Sequence, residues 1–137
     1  PTRANPSDAG LDLCFNPKDG VQTVLRPGES AVLATGLKFG IPHGYMLQIM
    51  NRSGNAAKRS LMVGACVVDA GYDGEVFVNL HNMSSMKQVI SPGDKIAQGV
   101  VIPVVPVRFM ETFQDDPYWY PIAIAERGDG ALRSTGR

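Results

Sequence analysis

Short apolar runs alternate with turn residues along most of the chain. The runs cover residues 11–15, 21–25, 31–34, 37–41, 45–50, 61–68, 75–80, 88–90 and 95–107. Several of the intervening segments combine Pro with Gly, Asp or Asn, as in Ser91-Pro92-Gly93-Asp94. These residues favour turns, because Pro presets φ and Gly accepts a positive φ. Many short strands joined by tight turns predict an all-β subunit: an antiparallel sandwich, jelly roll or barrel.

Only one segment has a helical pattern. Residues 53–59 form a run of one or two turns between apolar stretches, and Ser53 is a plausible N-cap for it. Arg52 and the start of this helix would attract an anion. An ordinary capped turn explains the same residues.

The segment 67–78 predicts a β-hairpin. Two β-branched runs flank a tight stretch that carries Gly71 and Gly74, which is typical of a hairpin turn. Such a turn would present Asp69 and Tyr72 on one rigid loop. There the ring can serve as the wall of a small-ligand site and the carboxylate as a base for water. Alternatively, Asp69 makes a local turn bond and Tyr72 packs.

Composition narrows the function. The chain has 137 residues, with 13 Lys and Arg against 13 Asp and Glu. This length suits one domain, and the zero net charge argues against a general nucleic-acid or membrane-surface binder. The two cysteines, Cys14 and Cys66, have no metal-ligand spacing, so we expect reduced thiols. No run approaches the roughly 18 apolar residues of a membrane span, and no signal peptide is visible. We expect a cytoplasmic protein; Pro1 in place of Met leaves the completeness of the N-terminus open.

The C-terminal segment has a different composition from the rest. Residues 127–137 contain three Gly and three Arg but almost no apolar side chains. We therefore expect a β domain over residues 1–126 and a flexible arm over 127–137. Guanidinium groups, hydroxyls and backbone amides suit phosphate oxygens, so this arm is a candidate phosphate-binding lid. A frayed terminus without a role is the alternative.

Two further features point to a phosphorylated ligand and its metal. Gln98 is a polar residue within an apolar run and needs a hydrogen-bond partner if it is buried. Asp8 and Asp12 flank Gly10, and their carboxylates suit Mg²⁺, which favours oxygen ligands and keeps several of its waters. A solvated turn explains the two carboxylates equally well.

Taken in order, these segments resemble the five motifs of the homotrimeric dUTPase family, the dUTP nucleotidohydrolases. The matching segments are Ala9-Gly10-Leu11-Asp12-Leu13, then Arg52-Ser53-Gly54, then residues 63–75, then Gly93-Asp94-Lys95-Ile96-Ala97-Gln98, and finally Arg127-Gly128-Asp129-Gly130 with Ser134-Thr135-Gly136. The resemblance covers nearly the whole chain. It implies a jelly-roll-like subunit or distorted β-barrel, the β-clip of dUTPases, with a flexible C-terminal tail. It also implies a homotrimer whose active sites are shared between chains.

The resemblance implies that the chain hydrolyses dUTP to dUMP and pyrophosphate with Mg²⁺. Asp69 would activate the water that attacks the α-phosphate. Tyr72 would pack under the deoxyribose, and backbone groups around Val68 would read the base. The remaining implied contacts are to the phosphates and the metal: Arg52, Ser53, Gly54 and Gln98 on phosphates, Asp12 on Mg²⁺ through water, and Arg127, Ser134 and Thr135 closing over the triphosphate. No nucleic-acid or membrane partner is implied. The protein would act in the cytoplasm or, if it comes from a virus or phage, in the cytoplasm of the host cell.

The chain differs from the family pattern at four positions. Leu132 replaces the Phe that usually stacks on uracil, and Arg133 and Cys66 each replace a Gly. Asp73 stands where Arg or Gln is usual. These differences bear on base selectivity more than on the type of reaction.

Three alternatives stay open. One is a dCTP deaminase or a bifunctional relative of the same fold, and another is a pyrophosphatase for a different dNTP. The third is a nucleotide-gated interaction module, for which the aromatic segment Tyr118-Trp119-Tyr120 is the candidate surface.

Overall fold

The computed structural model describes residues 1–107 and shows a mostly β architecture. The described elements, in chain order, are β1 (Leu11–Cys14), β2 (Thr23–Leu25), β3 (Ser30–Leu37), β4 (Tyr45–Met50), α1 (Ser53–Arg59), β5 (Leu61–Val63), β6 (Val67–Asp69), β7 (Val76–Asn82), β8 (Gln88–Ile90) and β9 (Lys95–Pro103). Side chains alternate between the two faces of a strand. In β7, for example, Val76, Val78 and Leu80 are buried.

The described strands form three antiparallel sheets. The largest has the order β1-β9-β4-β6, the second has the order β3-β7-β5, and β2 pairs with β8. Strands that are neighbours in a sheet are distant in sequence, as in a jelly roll rather than a simple meander. The predicted all-β, jelly-roll-like β-clip class is confirmed.

One hydrophobic core joins the sheets. Leu13 of β1, Leu47 of β4 and Leu80 of β7 are fully buried and belong to the same cluster. Phe39 and Ile41 pack against this cluster from the connection after β3. The prediction of a separate strand over residues 37–41 is wrong, because β3 continues through a bulge to Leu37 and the chain then leaves the sheet.

The predicted strand over residues 61–68 is in fact two strands in two different sheets. β5 pairs with β7, whereas β6 pairs with β4. Gly64 lies between them, and a Cβ there would overlap the side chains of Asn79 and His81. The backbone passes close to β7 at this point, where Gly64 N–H donates to the carbonyl of Asn79 at 2.9 Å, and then crosses to the other sheet.

The hairpin predicted over residues 67–78 is also wrong. β6 and β7 do not pair with each other, because each finds its partners in a different sheet. The tight turn itself is present: Tyr72 N–H donates to the carbonyl of Asp69 at 3.2 Å. Asp69 and Tyr72 therefore do share a short loop, but the loop bridges two sheets.

The helix lies where it was predicted, at Ser53–Arg59. Its N-cap is Arg52, with no side-chain capping bond, so the prediction of Ser53 as the N-cap is wrong. Ser60, in the left-handed conformation, ends the helix. No helix within residues 1–107 is long and apolar enough to cross a membrane. The predicted boundary at 126/127 and the C-terminal arm lie outside the described residues.

Candidate active site

Three of the sequence segments singled out above meet at one open cavity of about 320 Å³. Its lining comes from the start of β1, from the junction of β4 with α1, and from β9: Ala4, Asp8, Ala9, Gly10, Asp12, Arg52, Ser53, Gly54 and Gln98. The structure thus brings together the predicted residues Asp12, Arg52, Ser53, Gly54 and Gln98. The cavity offers a guanidinium, a hydroxyl, an amide and carboxylates to a polar ligand.

Strand register places Asp12 beside Gln98. The two residues are paired across β1 and β9. Gly10 packs against the Gln98 amide so closely that a Cβ would overlap its Oε1. The amide nitrogen of Gln98 donates to the carbonyl of Asn51 at 2.9 Å, so the polar side chain has the partner that its position required. Gln98 and Gly10 both line the cavity.

Asp12 is the electrostatic centre of this cavity. Its Oδ1 lies 2.9 Å from Nε of Arg52, and its Oδ2 lies 2.7 Å from Nζ of Lys95. Burial by itself would raise the pKa of the Asp12 carboxyl. The hydrogen bond from Lys95 and the positive charges of Arg52 and Lys95 outweigh burial, so the pKa of the Asp12 carboxyl lies below its ordinary value. Asp12 is therefore ionised at neutral pH.

Lys95 and two asparagines, which the sequence analysis does not select, support the residues that line the cavity. Lys95 lies within the fourth motif, and a charged residue at the start of an apolar strand is the sequence signal that could have identified it. Asn51 accepts a 2.7 Å hydrogen bond from Val63 N–H, and Asn55 Nδ2 donates to the Lys95 carbonyl at 2.9 Å. These two amides hold the start of α1 against β9 and β5.

The third motif surrounds a second cavity, of about 250 Å³. Its lining comes from β6, the following loop and the start of β7: Val67, Val68, Asp69, Tyr72, Glu75, Val76 and Phe77. The structure brings together the predicted residues Val68, Asp69 and Tyr72. The Asp69 carboxylate is exposed at the end of β6, and Tyr72 is 48% exposed. A flat ring beside a free carboxylate can hold a sugar or base next to a group that accepts a proton.

The two cavities of one chain are separate. They share no lining residue, and in the largest sheet Asp69 pairs with Met46 whereas Gln98 pairs with Met50. Four residues along β4 correspond to about 13 Å. The predicted base therefore does not face the predicted phosphate cradle of its own chain at bonding distance. Arg127, Ser134 and Thr135 lie outside the described residues.

The donor set fits a magnesium ion held mainly through water. Among residues 1–107 no group of three or more His, Cys, Asp or Glu side chains could hold a metal directly. Asp8 is used locally, because Oδ2 accepts from Asn5 N–H at 2.9 Å. The ionised Asp12 carboxylate lies at the cavity wall, and although its oxygens contact Arg52 and Lys95, each can accept a second hydrogen bond, from a metal-bound water. Mg²⁺ in phosphate-transfer sites needs only one or two carboxylates besides substrate oxygens and water.

Fold and cavities together define a class of protein: an all-β subunit with one polar cavity suited to phosphate and one pocket formed by a ring and a carboxylate. A family model described as dUTPase matches residues 1–117. The deoxyuridine 5'-triphosphate nucleotidohydrolase of Gloeobacter violaceus is 38% identical over 138 residues, which cover 99% of this chain and 88% of that protein. The protein of the same name from Chlamydia trachomatis is 35% identical, over 99% of this chain and 90% of its own length. The chain belongs to the dUTPase family.

Solved structures agree with this assignment. A mutant dUTPase from phage phi11 of S. aureus, described for its coordination of a structural Mg(II) ion, superposes with a TM-score of 0.73 at 26% identity, covering 83% of this chain and 89% of that chain. The phi11 dUTPase described for its species-specific insert gives a TM-score of 0.74 at 26% identity, over 85% of this chain and 90% of that one.

Proposed function

We propose that the chain hydrolyses dUTP to dUMP and pyrophosphate. The observation that carries the proposal is the 320 Å³ cavity in which the first, second and fourth motifs meet, together with the separate pocket of the third motif. Family membership and the names of the relatives support the choice of dUTP as the substrate.

In this proposal Asp69 is the general base. Its carboxylate is exposed at the end of a strand, so water reaches it, and its backbone carbonyl is fixed by the turn to Tyr72. Asp69 removes a proton from the water that attacks the α-phosphorus, while pyrophosphate departs on the opposite side. In-line phosphoryl transfer depends mainly on positioning and charge neutralisation, so a correctly placed carboxylate is enough base for the reaction.

Tyr72 and Val68 hold the nucleoside. The Tyr72 ring packs under the deoxyribose and leaves no space for a 2′-hydroxyl, and the backbone at Val68 reads the base edge. Both residues line the pocket that contains Asp69. Leu132 provides no stacking ring for uracil, so base selectivity rests more heavily on the third motif.

Arg52, Ser53, Gly54 and Gln98 hold the phosphates. The Arg52 guanidinium can form paired, charge-assisted bonds to phosphate oxygens. When bound, Mg²⁺ neutralises the triphosphate and favours departure of pyrophosphate. Asp12 would hold waters of that ion. Arg127, Ser134 and Thr135 close over the phosphates in the same proposal.

The working unit is a homotrimer. The separation of the two cavities within one chain supports sites completed by neighbouring chains. The outer face of the largest sheet supports it as well, because Met50 and Val67, which the strand register places on the face opposite to the buried Leu47, expose 41% and 55% of their surfaces. Apolar patches of this kind on a soluble protein are typical of association surfaces. We place the reaction in the cytoplasm, without nucleic-acid or membrane partners.

A pyrophosphate-release screen tests this function. Purified protein is incubated with dUTP, dCTP, dTTP, dATP or UTP, with Mg²⁺ and with excess chelator. We expect Mg²⁺ to stimulate the release of pyrophosphate from dUTP, at a rate well above that from the other four nucleotides. Preferential release from another nucleotide identifies a different pyrophosphatase, and ammonia from dCTP identifies a deaminase. Tight nucleotide binding without any turnover identifies an interaction module.

A further inference from the structure

Contacts within the chain hold the Tyr72 ring in place. Its hydroxyl donates to the backbone carbonyl of Glu75 at 3.0 Å. The ring also lies against Gly74, where a Cβ would overlap the hydroxyl oxygen and Cζ of Tyr72. Gly74 thus permits this ring position, and the carbonyl of Glu75 fixes it. The position of the ring therefore depends on where residue 75 is held.

Residue 75 is held by its own side chain. Oε1 of Glu75 accepts a hydrogen bond from Gly36 N–H at 2.8 Å. Gly36 lies in the bulge of β3, where the pairing with β7 shifts between Ala34 and Leu37, and its φ is +68°. A bulge leaves backbone groups outside the ladder. The Glu75 carboxylate satisfies one of them and ties the Tyr72 loop to the neighbouring strand.

The other side-chain contacts near this loop do not hold the Tyr72 ring. Thr35 is buried, and its hydroxyl donates to the carbonyl of Val76 at 2.5 Å, which fixes the start of β7 rather than the ring. Asp73 pairs with Lys38 at 2.9 Å, but both side chains are largely exposed, at 95% and 62%. An ion pair that exposed contributes little. The bond from Tyr72 N–H to the Asp69 carbonyl fixes the backbone of the turn. Of the side-chain contacts described on this loop, the bond between Glu75 and Gly36 is therefore the one placed to control where the Tyr72 ring lies.

We infer that Glu75 is a positioning residue that sets the Tyr72 ring, and through it the discrimination between deoxyribose and ribose. The inference rests on the proposed function for its substrate. The Glu75 carboxylate touches neither the reacting atoms nor the nucleotide; it acts by holding the carbonyl that receives the Tyr72 hydroxyl. Glu75→Gln keeps an oxygen acceptor for Gly36 N–H, whereas Glu75→Ala removes it.

The first test needs no turnover. Amide hydrogen exchange is measured on the nucleotide-free protein for wild type, Glu75→Gln, Glu75→Ala and the control Asp73→Ala. We expect exchange at Gly36 and in residues 70–75 to rise about three- to tenfold in Glu75→Ala, the range for one ordinary hydrogen bond. Glu75→Gln and Asp73→Ala should stay within about twofold of wild type. Wild-type exchange in Glu75→Ala would overturn the inference, whether or not the protein hydrolyses dUTP.

The second test measures kcat/KM for dUTP divided by kcat/KM for UTP. We expect this ratio to fall about three- to tenfold in Glu75→Ala and to be retained in Glu75→Gln. Thr35→Val is the control for general destabilisation: it should lower the melting temperature while leaving the ratio unchanged. An unchanged ratio in Glu75→Ala, or an equal loss in Thr35→Val, would show that Glu75 is only structural. If Glu75→Ala does not fold, Glu75→Lys takes its place in the test. It also lacks the acceptor, so its ratio of kcat/KM for dUTP to kcat/KM for UTP should fall, and an unchanged ratio would overturn the inference.

Discussion

Replacing Asp12 by Asn tests the electrostatic centre of the polar cavity. The variant keeps the shape of the side chain but removes the charge that faces Arg52 at 2.9 Å and Lys95 at 2.7 Å. The Asp12 side chain is only 12% exposed, so water replaces these partners poorly, whereas Arg52 and Lys95 are 32% and 45% exposed. Charged hydrogen bonds contribute roughly 1.5–3 kcal/mol and exposed pairs roughly 0.2–1 kcal/mol. We therefore expect a loss of about 1–2 kcal/mol in the free energy of unfolding at pH 7.

The pH dependence of this loss has a defined sign. The folded-state pKa of Asp12 is lowered below 3.8, so its contribution to stability is present above the unfolded-state pKa and disappears as pH falls through the folded-state value. The difference between wild type and Asp12→Asn should be constant from pH 7 to about pH 5 and should shrink below about pH 4.

Urea unfolding at pH 7, 5, 4 and 3 measures the difference directly. The matched control is Asp73→Asn, because Asp73 also pairs with a lysine but is 95% exposed. The control should lose no more than about 0.5 kcal/mol at any of these pH values. A difference for Asp12→Asn that stays unchanged down to pH 3, or that is no larger than the control at pH 7, would refute the electrostatic reasoning.

Three further predictions address the core, the arm and the assembly. Asn82→Ala should lower the free energy of unfolding by about 2–4 kcal/mol in urea titrations, because Asn82 is fully buried and donates hydrogen bonds to the carbonyls of Leu25 and Met86. A loss below about 1 kcal/mol would contradict this prediction. Truncation after Glu126 should leave the fold intact by circular dichroism but remove most dUTP turnover, and full activity in the truncated chain would exclude a catalytic arm. Light scattering of active protein should give the mass of a trimer, and a monomer mass would contradict shared sites.

Local sequence patterns predict most of the strands and the helix, but not which strands pair with each other. The helix at Ser53–Arg59 and the strand at Tyr45–Met50 follow from apolar spacing and turn residues alone. The sequence of residues 67–78 predicts a hairpin, because two apolar strands around a glycine turn usually pair. Here each strand has a longer partner in another sheet, and pairing between distant strands leaves little trace in local composition.

In the candidate site, too, the sequence shows which residues need a partner but not which partner they find. The need of Gln98 for a partner was visible in the sequence, because a polar residue in a buried strand is expensive without one. Its partner, the Asn51 carbonyl, was not visible, since any backbone carbonyl could serve. The roles of Lys95 and Glu75 depend on a strand register and on a bulge in β3, and both arise only when the sheets assemble.

The central claim is that Asp69 activates the water that attacks the α-phosphorus of dUTP. The most direct measurement is turnover in H₂¹⁸O by wild type and by Asp69→Asn, with mass analysis of both products and a separate binding titration with a non-hydrolysable dUTP analogue. The account predicts that the label enters dUMP and that Asp69→Asn lowers kcat by about 10²–10⁴-fold while analogue binding is retained. Label in pyrophosphate, or near wild-type turnover in Asp69→Asn, would contradict it.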